Sequence, residues 1–116
     1  MRLILALIQP TKLQAVQEAL ARIGVERMTV CDALGYGRQR GQRLESGLAV
    51  ERATLLRKVA LEIAVNEDFL ERTIETITAV ARTGTSGAIG DGKVFVLPVE
   101  EVVRLSDTVR GPEAVS

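Results

Sequence analysis

The stretch Lys58–Gly84, KVALEIAVNEDFLERTIETITAVARTG, holds the clearest structural pattern in the chain. Its first apolar residues occupy alternate positions, at Val59, Leu61, Ile63 and Val65. Alternation of this kind predicts a strand with one buried face. Asn66 can cap a following helix, whose apolar positions recur at helical spacing: Leu70, Ile74, Ile77 and Ala81. The stretch therefore predicts a strand that leads directly into an amphipathic helix, with Gly84 near its end.

The same plan precedes this stretch. A strand over about Arg2–Gln9 is stopped by Pro10, and a helix follows that Gly24 can end. The apolar positions of that helix are Leu13, Val16, Leu20 and Ile23. A second strand covers about Arg27–Leu34 and a fourth about Val94–Val99. The order βαββαβ predicts a ferredoxin-like α+β fold, an antiparallel sheet with two helices on one face. Apolar residues on its other face favour packing against further copies.

Composition narrows the class of protein. The chain has 116 residues, which fits a single domain over 1–116, and 47% of them are apolar. Its net charge is zero, which argues against nucleic-acid binding. Histidine is absent, so histidine-based catalytic triads are excluded. The one cysteine, Cys31, cannot form an internal disulfide and is expected to be a buried, inert thiol. The apolar run Leu3–Ile8 is too short for a signal peptide or a membrane span, so we expect a cytoplasmic protein without membrane insertion.

Two glycine-rich segments are candidates for anion binding. The first, Gly35–Gly41, opens a charged stretch predicted to be a long loop over about 36–56. The second spans about 83–93 and contains Gly87-Ala-Ile-Gly-Asp-Gly-Lys93, where glycine amides and a lysine suit a phosphate. It is not a Walker A loop, because Val94 replaces the magnesium-binding Ser or Thr and a strand follows. A plain turn with a solvated lysine is the alternative.

Several single residues carry two interpretations. Lys58 and Arg104 are either anion contacts or surface cations. Glu62 interrupts an apolar strand, which indicates a buried carboxylate with a partner across the sheet or a functional one. Asp91 is either a general base or, by the usual role of aspartate in loops, a turn-stabilising residue. The tail over about 100–116 is polar and is expected to be partly mobile.

Together these segments resemble the PII nitrogen-regulatory family over Met1 to about Leu105. The matching motifs are Ile8-Gln9-Pro10, Gly24–Val30, Gly35–Gly41, Lys58-Val59, Arg82-Thr83-Gly84 and Ile89–Val96. The resemblance implies a trimer that binds ADP, AMP or ATP in clefts between subunits. It implies nucleotide contacts at Thr29, Gly35, Gly37, Arg38, Gln39, Lys58, Glu62, Ala64, Gly90, Asp91, Gly92, Lys93 and, from a neighbouring subunit, Arg104.

The resemblance also implies how the protein signals. No tightly bound cofactor is expected. Gln39 and Lys58 would serve magnesium and 2-oxoglutarate when ATP is bound, and the long loop would be the T-loop that contacts a regulated transporter, enzyme or carboxysome-related protein. An effector anion would involve Gln39, Arg40, Gly41, Arg43 and Lys58.

Departures from the family pattern favour a divergent member. Ser46 and Glu51 stand where tyrosines are usual, so tyrosine uridylylation is not expected. Gln9 replaces a basic residue near the 2-oxoglutarate site, and Ser106 replaces a second arginine, which favours ADP or AMP over ATP. The second glycine segment is longer, through Thr85–Ala88. Divergent relatives regulate inorganic carbon and respond to bicarbonate, which is the alternative to nitrogen control.

Two further hypotheses compete with a sensor. A ligand-free scaffold trimer would use only the apolar open sheet face. A slow nucleotidase is disfavoured because the chain lacks histidine and has no magnesium-binding hydroxyl after Lys93. We therefore expect a non-enzymatic regulator.

Overall fold

The computed structural model describes residues 1–43 and 49–116, with side chains described outside 37–54. The elements in chain order are β1 (Arg2–Ile8), a 3-10 turn (Pro10–Lys12), α1 (Leu13–Arg22), β2 (Thr29–Arg43), β3 (Ala49–Val65), α2 (Glu67–Ala81), β4 (Gly92–Pro98) and α3 (Pro112–Val115). The order confirms the βαββαβ plan, to which the tail adds α3.

The described strands form one antiparallel sheet in the order β2-β3-β1-β4. β1 lies between β3 and β4, so that Ile4 stands opposite Ile63 on one side and Val96 on the other. Two strand–helix–strand units thus interleave their strands in a single sheet, which is the predicted ferredoxin-like arrangement.

The core lies between one face of the sheet and the two long helices. Alternate strand residues face the helices and are almost completely buried: Ile4, Ala6, Ile8, Val59, Leu61, Ile63 and Val65. Val16 and Leu20 of α1 and Ile77 of α2 join the same cluster, each fully buried. Burial of a large aliphatic side chain contributes about 1.5–3 kcal/mol, so this alternation is the main determinant of which face meets the helices.

The helix ends follow the sequence. After α1 the chain turns through Gly24 at φ +87°, and the amides of Gly24 and Val25 bond to the carbonyls of Ala21 and Leu20. This is a Schellman ending, which glycine permits because it tolerates the left-handed conformation. Asn66 precedes α2 as predicted, but its side-chain Nδ2 donates to the Pro112 carbonyl (3.1 Å) instead of capping the helix.

The other face of the sheet is uncovered in the single chain and largely apolar. Phe95 and Leu97 lie on it, 45% and 43% exposed, opposite Leu5 and Leu3. Glu62 and Cys31 lie on this face as well, and both are exposed. The expectations of a buried Glu62 carboxylate and a buried Cys31 thiol are therefore wrong for the single chain, because strand alternation points both residues away from the helices.

The prediction of a long loop over 36–56 is wrong for the residues that the structure describes. β2 continues to Arg43 and β3 begins at Ala49, and their backbones pair as a hairpin. β1 pairs only with Val59–Val65, so the outer part of the hairpin is a two-stranded ribbon. The described side chains at the base of this ribbon, Leu34, Tyr36 and Leu55, are exposed, so no buried face imposes an apolar alternation on them, and the sequence pattern did not indicate strands there. Residues 44–48, with Ser46 and Gly47, lie outside the described residues.

The tail is also more regular than predicted. Val103 and Arg110 form a bridge across a turn, and α3 follows. Arg27 Nη1 donates to the Ser116 carbonyl (2.9 Å), which fixes the end of the tail on the loop between α1 and β2. Hydrogen bonds from side chains far away in sequence order this segment, and its own composition does not reveal them.

Candidate functional site

Asp91 organises the second glycine-rich segment. Its carboxylate accepts hydrogen bonds from Thr83 Oγ1 (2.5 Å), the Thr83 amide (3.0 Å) and the Ala88 amide (2.8 Å). These bonds close the loop between α2 and β4 across eight residues. Asp91 therefore fits the turn-stabilising interpretation, since these three donors belong to its own loop and a longer bond from Gln9 Nε2 (3.5 Å) joins that loop to the end of β1.

The hydrogen bonds from the Thr83 side chain and amide, with that from Ala88, lower the pKa of Asp91 from 3.8 to about 2. A depressed folded-state pKa means that the carboxylate stabilises the folded loop above about pH 4. The contribution is lost as the pH falls from about 4 towards 2.

We expect the Asp91 carboxyl carbon to titrate in the folded protein with a midpoint near 2, measured by NMR. Thr83→Val should raise this midpoint towards 3.8, because Thr83 Oγ1 is the principal donor. Thr85→Val, in the same loop, is the control and should leave it unchanged. A wild-type midpoint near 3.8 would refute the proposed role of these bonds.

The loop is anchored to the sheet through the Gly90 carbonyl. Lys58 Nζ donates to this oxygen (2.5 Å), and Gln9 Nε2 donates to it as well (3.3 Å). Gly35 of β2 lies beside the lysine, since a Cβ at Gly35 would come 3.3 Å from Lys58 Cγ. The structure thus brings Gly35, Lys58 and Gly90 together.

Gly92 and Lys93 continue the same end of the sheet. Gly92 has φ +116° and stands opposite Ile8, and Lys93 stands opposite Leu7. Lys93 is exposed and lies on the uncovered sheet face, as does Lys58 two strands away. We call the set Gly35, Lys58, Gly90, Gly92 and Lys93 the lysine end. Two ammonium groups beside glycine-rich backbone suit an anion.

The remaining described candidates lie towards the opposite end. Thr29 stands opposite Glu62, and Ala64 is six residues beyond Lys58 on β3, about 20 Å away at ~3.3 Å per residue. Ala64 lines a cavity of about 250 Å³ between the α1–β2 loop and the start of α2, with Val115 and Ser116 of the tail at its rim. Ala64 therefore lies far from the two lysines inside one chain, and Thr29 and Glu62 lie part of the way between, about 13 Å from Lys58 by the same rise per residue.

Arg104 belongs to this second end. Its Nε and Nη2 donate to the Asp107 carboxylate (3.0 and 2.9 Å), and its Nη1 donates to the Ser116 carbonyl (3.2 Å). Arg27 holds the same carbonyl oxygen. We call Thr29, Glu62, Ala64 and Arg104 the tail end, since the tail folds against it.

Some predicted contacts lie outside the described side chains. These are the contacts of Gly37, Arg38, Gln39, Arg40, Gly41 and Arg43, whose backbone continues β2. Within the described residues there is no group of three or more side chains suited to hold a metal ion. A magnesium contact at Gln39 therefore stays a prediction. No helix of the described chain is long and apolar enough to cross a membrane.

Sequence reasoning missed four residues that shape the two ends. Gln9 and Thr83 fix the glycine loop, and Arg27 and Asp107 fix the tail. The spacing of Arg104 and Asp107 is the one available signal, because residues three apart across a tight turn can pair. Gln9 and Arg27 act across large sequence separations, and Thr83 acts on Asp91 eight residues away through a loop whose shape a single sequence does not reveal.

Comparisons with known proteins agree on one family. The family model described as Nitrogen regulatory protein P-II matches residues 1–108. Nitrogen regulatory protein GlnK1 of Methanosarcina mazei is 47% identical over 99% of this chain and 97% of its own length. Nitrogen regulatory protein P-II of Azospirillum brasilense is 43% identical over 99% of this chain and 100% of its own length.

A solved structure extends the similarity to the fold. The crystal structure of Arabidopsis thaliana PII bound to citrate superposes with a TM-score of 0.78 at 36% identity, and covers 98% of this chain and 88% of that one.

Proposed function

The chain belongs to the nitrogen regulatory protein P-II family of signal-transduction regulators, which are not enzymes, and from this premise we propose that it senses an adenine nucleotide and a small anion. The nucleotide binds between two chains of a trimer. Its binding changes the conformation of the β2–β3 hairpin, which contacts a partner protein. Nitrogen control is the process named for its relatives.

The separation of the candidate residues between two ends of the sheet carries the proposal. Lys58 and Lys93 stand at the lysine end, and Ala64 and Arg104 stand at the tail end of the same chain. One ligand that contacts both sets needs the lysine end of one chain beside the tail end of another. The uncovered apolar sheet face, with Leu5 and Phe95, supplies a surface on which copies can assemble.

The chemistry of the two ends differs in a way that suits a nucleotide. The lysine end offers ammonium groups and glycine backbone, which suit phosphates. The tail end offers an apolar wall at Ala64 and a guanidinium at Arg104, which suit a base and a further phosphate oxygen. The hairpin leaves the lysine end at Gly35, so a ligand there can alter the population of hairpin conformations.

The second ligand is a small anion at Lys58. The ammonium group of Lys58 already donates to the Gly90 carbonyl, so an anion bound to Lys58 also contacts the glycine loop. The related Arabidopsis protein is described as bound to citrate, a carboxylate. Two candidates for this anion are to be compared. One is a carboxylate such as 2-oxoglutarate, and the other is bicarbonate, which would suit an inorganic-carbon regulator.

Calorimetry with ADP, AMP and ATP, each with and without 2-oxoglutarate or bicarbonate, tests the proposal. We expect binding of at least one nucleotide, weakened about tenfold or more by Lys93→Ala, because a charge-assisted contact to phosphate is lost. Arg22→Ala, an exposed cation on α1, is the control and should bind as wild type does. A protein that binds none of these nucleotides under any condition would be a ligand-free scaffold, and the proposal would fail.

A further inference from the structure

All three nitrogens of the Arg104 guanidinium donate hydrogen bonds within its own tail. Asp107 accepts from Nε at 3.0 and 3.1 Å and from Nη2 at 2.9 Å, and Nη1 donates to the carbonyls of Ser116 and Glu113 (3.2 and 3.5 Å). Two parallel N–H bonds to one carboxylate reproduce the geometry by which arginine binds a phosphate. In this conformation the edge formed by Nε and Nη2, which would bind a phosphate in this way, is occupied by Asp107.

We propose that Asp107 is a built-in competitor of the nucleotide phosphate for Arg104 and thereby sets the affinity of the nucleotide site. This inference rests on the proposed function, since it takes Arg104 as a phosphate contact for a neighbouring chain. The tail then has two states. In one Arg104 pairs with Asp107, and in the other the carboxylate is released and the guanidinium faces the ligand.

The backbone of the turn holds Asp107 in place. Thr108 has φ +60°, a left-handed conformation that is unusual for a residue branched at Cβ, and its amide bonds to the Arg104 carbonyl (2.8 Å). The Val109 amide donates to Asp107 Oδ1 (3.1 Å). The same turn that closes the tail therefore directs the carboxylate onto the guanidinium.

The Arg104–Asp107 ion pair is exposed enough for a phosphate to replace the Asp107 carboxylate. The side chains of Arg104 and Asp107 are 32% and 47% accessible, so solvent weakens their attraction. A phosphate group carries more charge than one carboxylate and offers the same paired acceptors. It can therefore displace Asp107, while the carboxylate still lowers the affinity that Arg104 would otherwise give.

The test is calorimetric titration of ADP into wild type and Asp107→Asn. Asparagine keeps an acceptor for the Val109 amide and removes the charge that holds Arg104. We expect ADP to bind roughly fivefold more tightly to this variant, the order of effect of one exposed ion pair. Glu101→Gln is the matched control, because it removes a tail carboxylate that pairs with Arg110 (3.7 Å) instead, and it should leave ADP affinity unchanged.

Two further variants separate competition from a structural role. In an Arg104→Ala background, Asp107→Asn should have no effect on ADP affinity. With Arg104 present, Asp107→Glu keeps the negative charge and should bind ADP as tightly as wild type does. Weaker or unchanged ADP binding by Asp107→Asn would overturn the inference while leaving the proposed function intact, provided the wild type binds ADP. Absence of nucleotide binding by every variant would remove the proposed function and this inference with it.

Discussion

Gly92→Ala is expected to lower the free energy of unfolding by about 3 kcal/mol or more, a large fraction of the roughly 5–15 kcal/mol that stabilises a typical domain. A Cβ at this position would stand 1.7 Å from the Leu7 carbonyl oxygen and 2.8 Å from its carbonyl carbon. Both atoms belong to the backbone of β1, the central partner strand, so neither can move without disturbing the sheet. The φ of +116° adds strain for any residue with a side chain.

Gly84→Ala is the matched control for this prediction. Gly84 has φ +62°, and in the described part of the chain an added Cβ there meets nothing within 4 Å. The cost is then conformational strain alone, about 1–2 kcal/mol. Chemical denaturation of both variants measures the difference. Equal denaturation midpoints for the two variants would show that the close approach of Gly92 to Leu7 does not determine the stability of β4.

The parts of the fold that the sequence predicts well are those whose pattern reflects one buried face. The alternation of Val59, Leu61, Ile63 and Val65 marks the inner half of β3 because each of these side chains packs under the helices. The described side chains at the base of the hairpin, Leu34, Tyr36 and Leu55, are exposed, so strand pairing there leaves no apolar period. The same reasoning explains Glu62, whose exposure follows from alternation once the uncovered face is recognised.

The candidate site was predictable where backbone conformation demands a residue type. Gly90 and Gly92 both have positive φ, and the lysine end assembles around them. The separation of Ala64 from Lys58 follows from the predicted strand itself, but the placement of the tail beside Ala64 was not predictable, because it depends on hydrogen bonds across large sequence separations. Nor was the pairing of Arg104, since Thr108 adopts a conformation that its residue type disfavours.

The second large effect concerns mixed trimers of two variants that each bind ADP weakly. Lys93→Ala removes a cation of the lysine end, and Arg104→Ala removes the cation of the tail end. We expect each variant alone to bind ADP at least about tenfold more weakly than wild type, because each loses a charge-assisted contact. If one site takes its lysine and its arginine from different chains, mixing the variants recreates some intact sites.

The two variants carry different affinity tags and are expressed together. Trimers that contain both tags are then isolated. In a cyclic trimer that contains both variants, about a third of the interfaces join an intact lysine end to an intact tail end, whichever variant is present twice. ADP titration of these trimers, against each variant alone, is the most direct test that the nucleotide site lies between chains. Recovery of wild-type affinity in that fraction of sites is the result we predict. Mixed trimers that bind ADP no better than either variant would contradict a shared site, since a site within one chain always lacks one of the two cations.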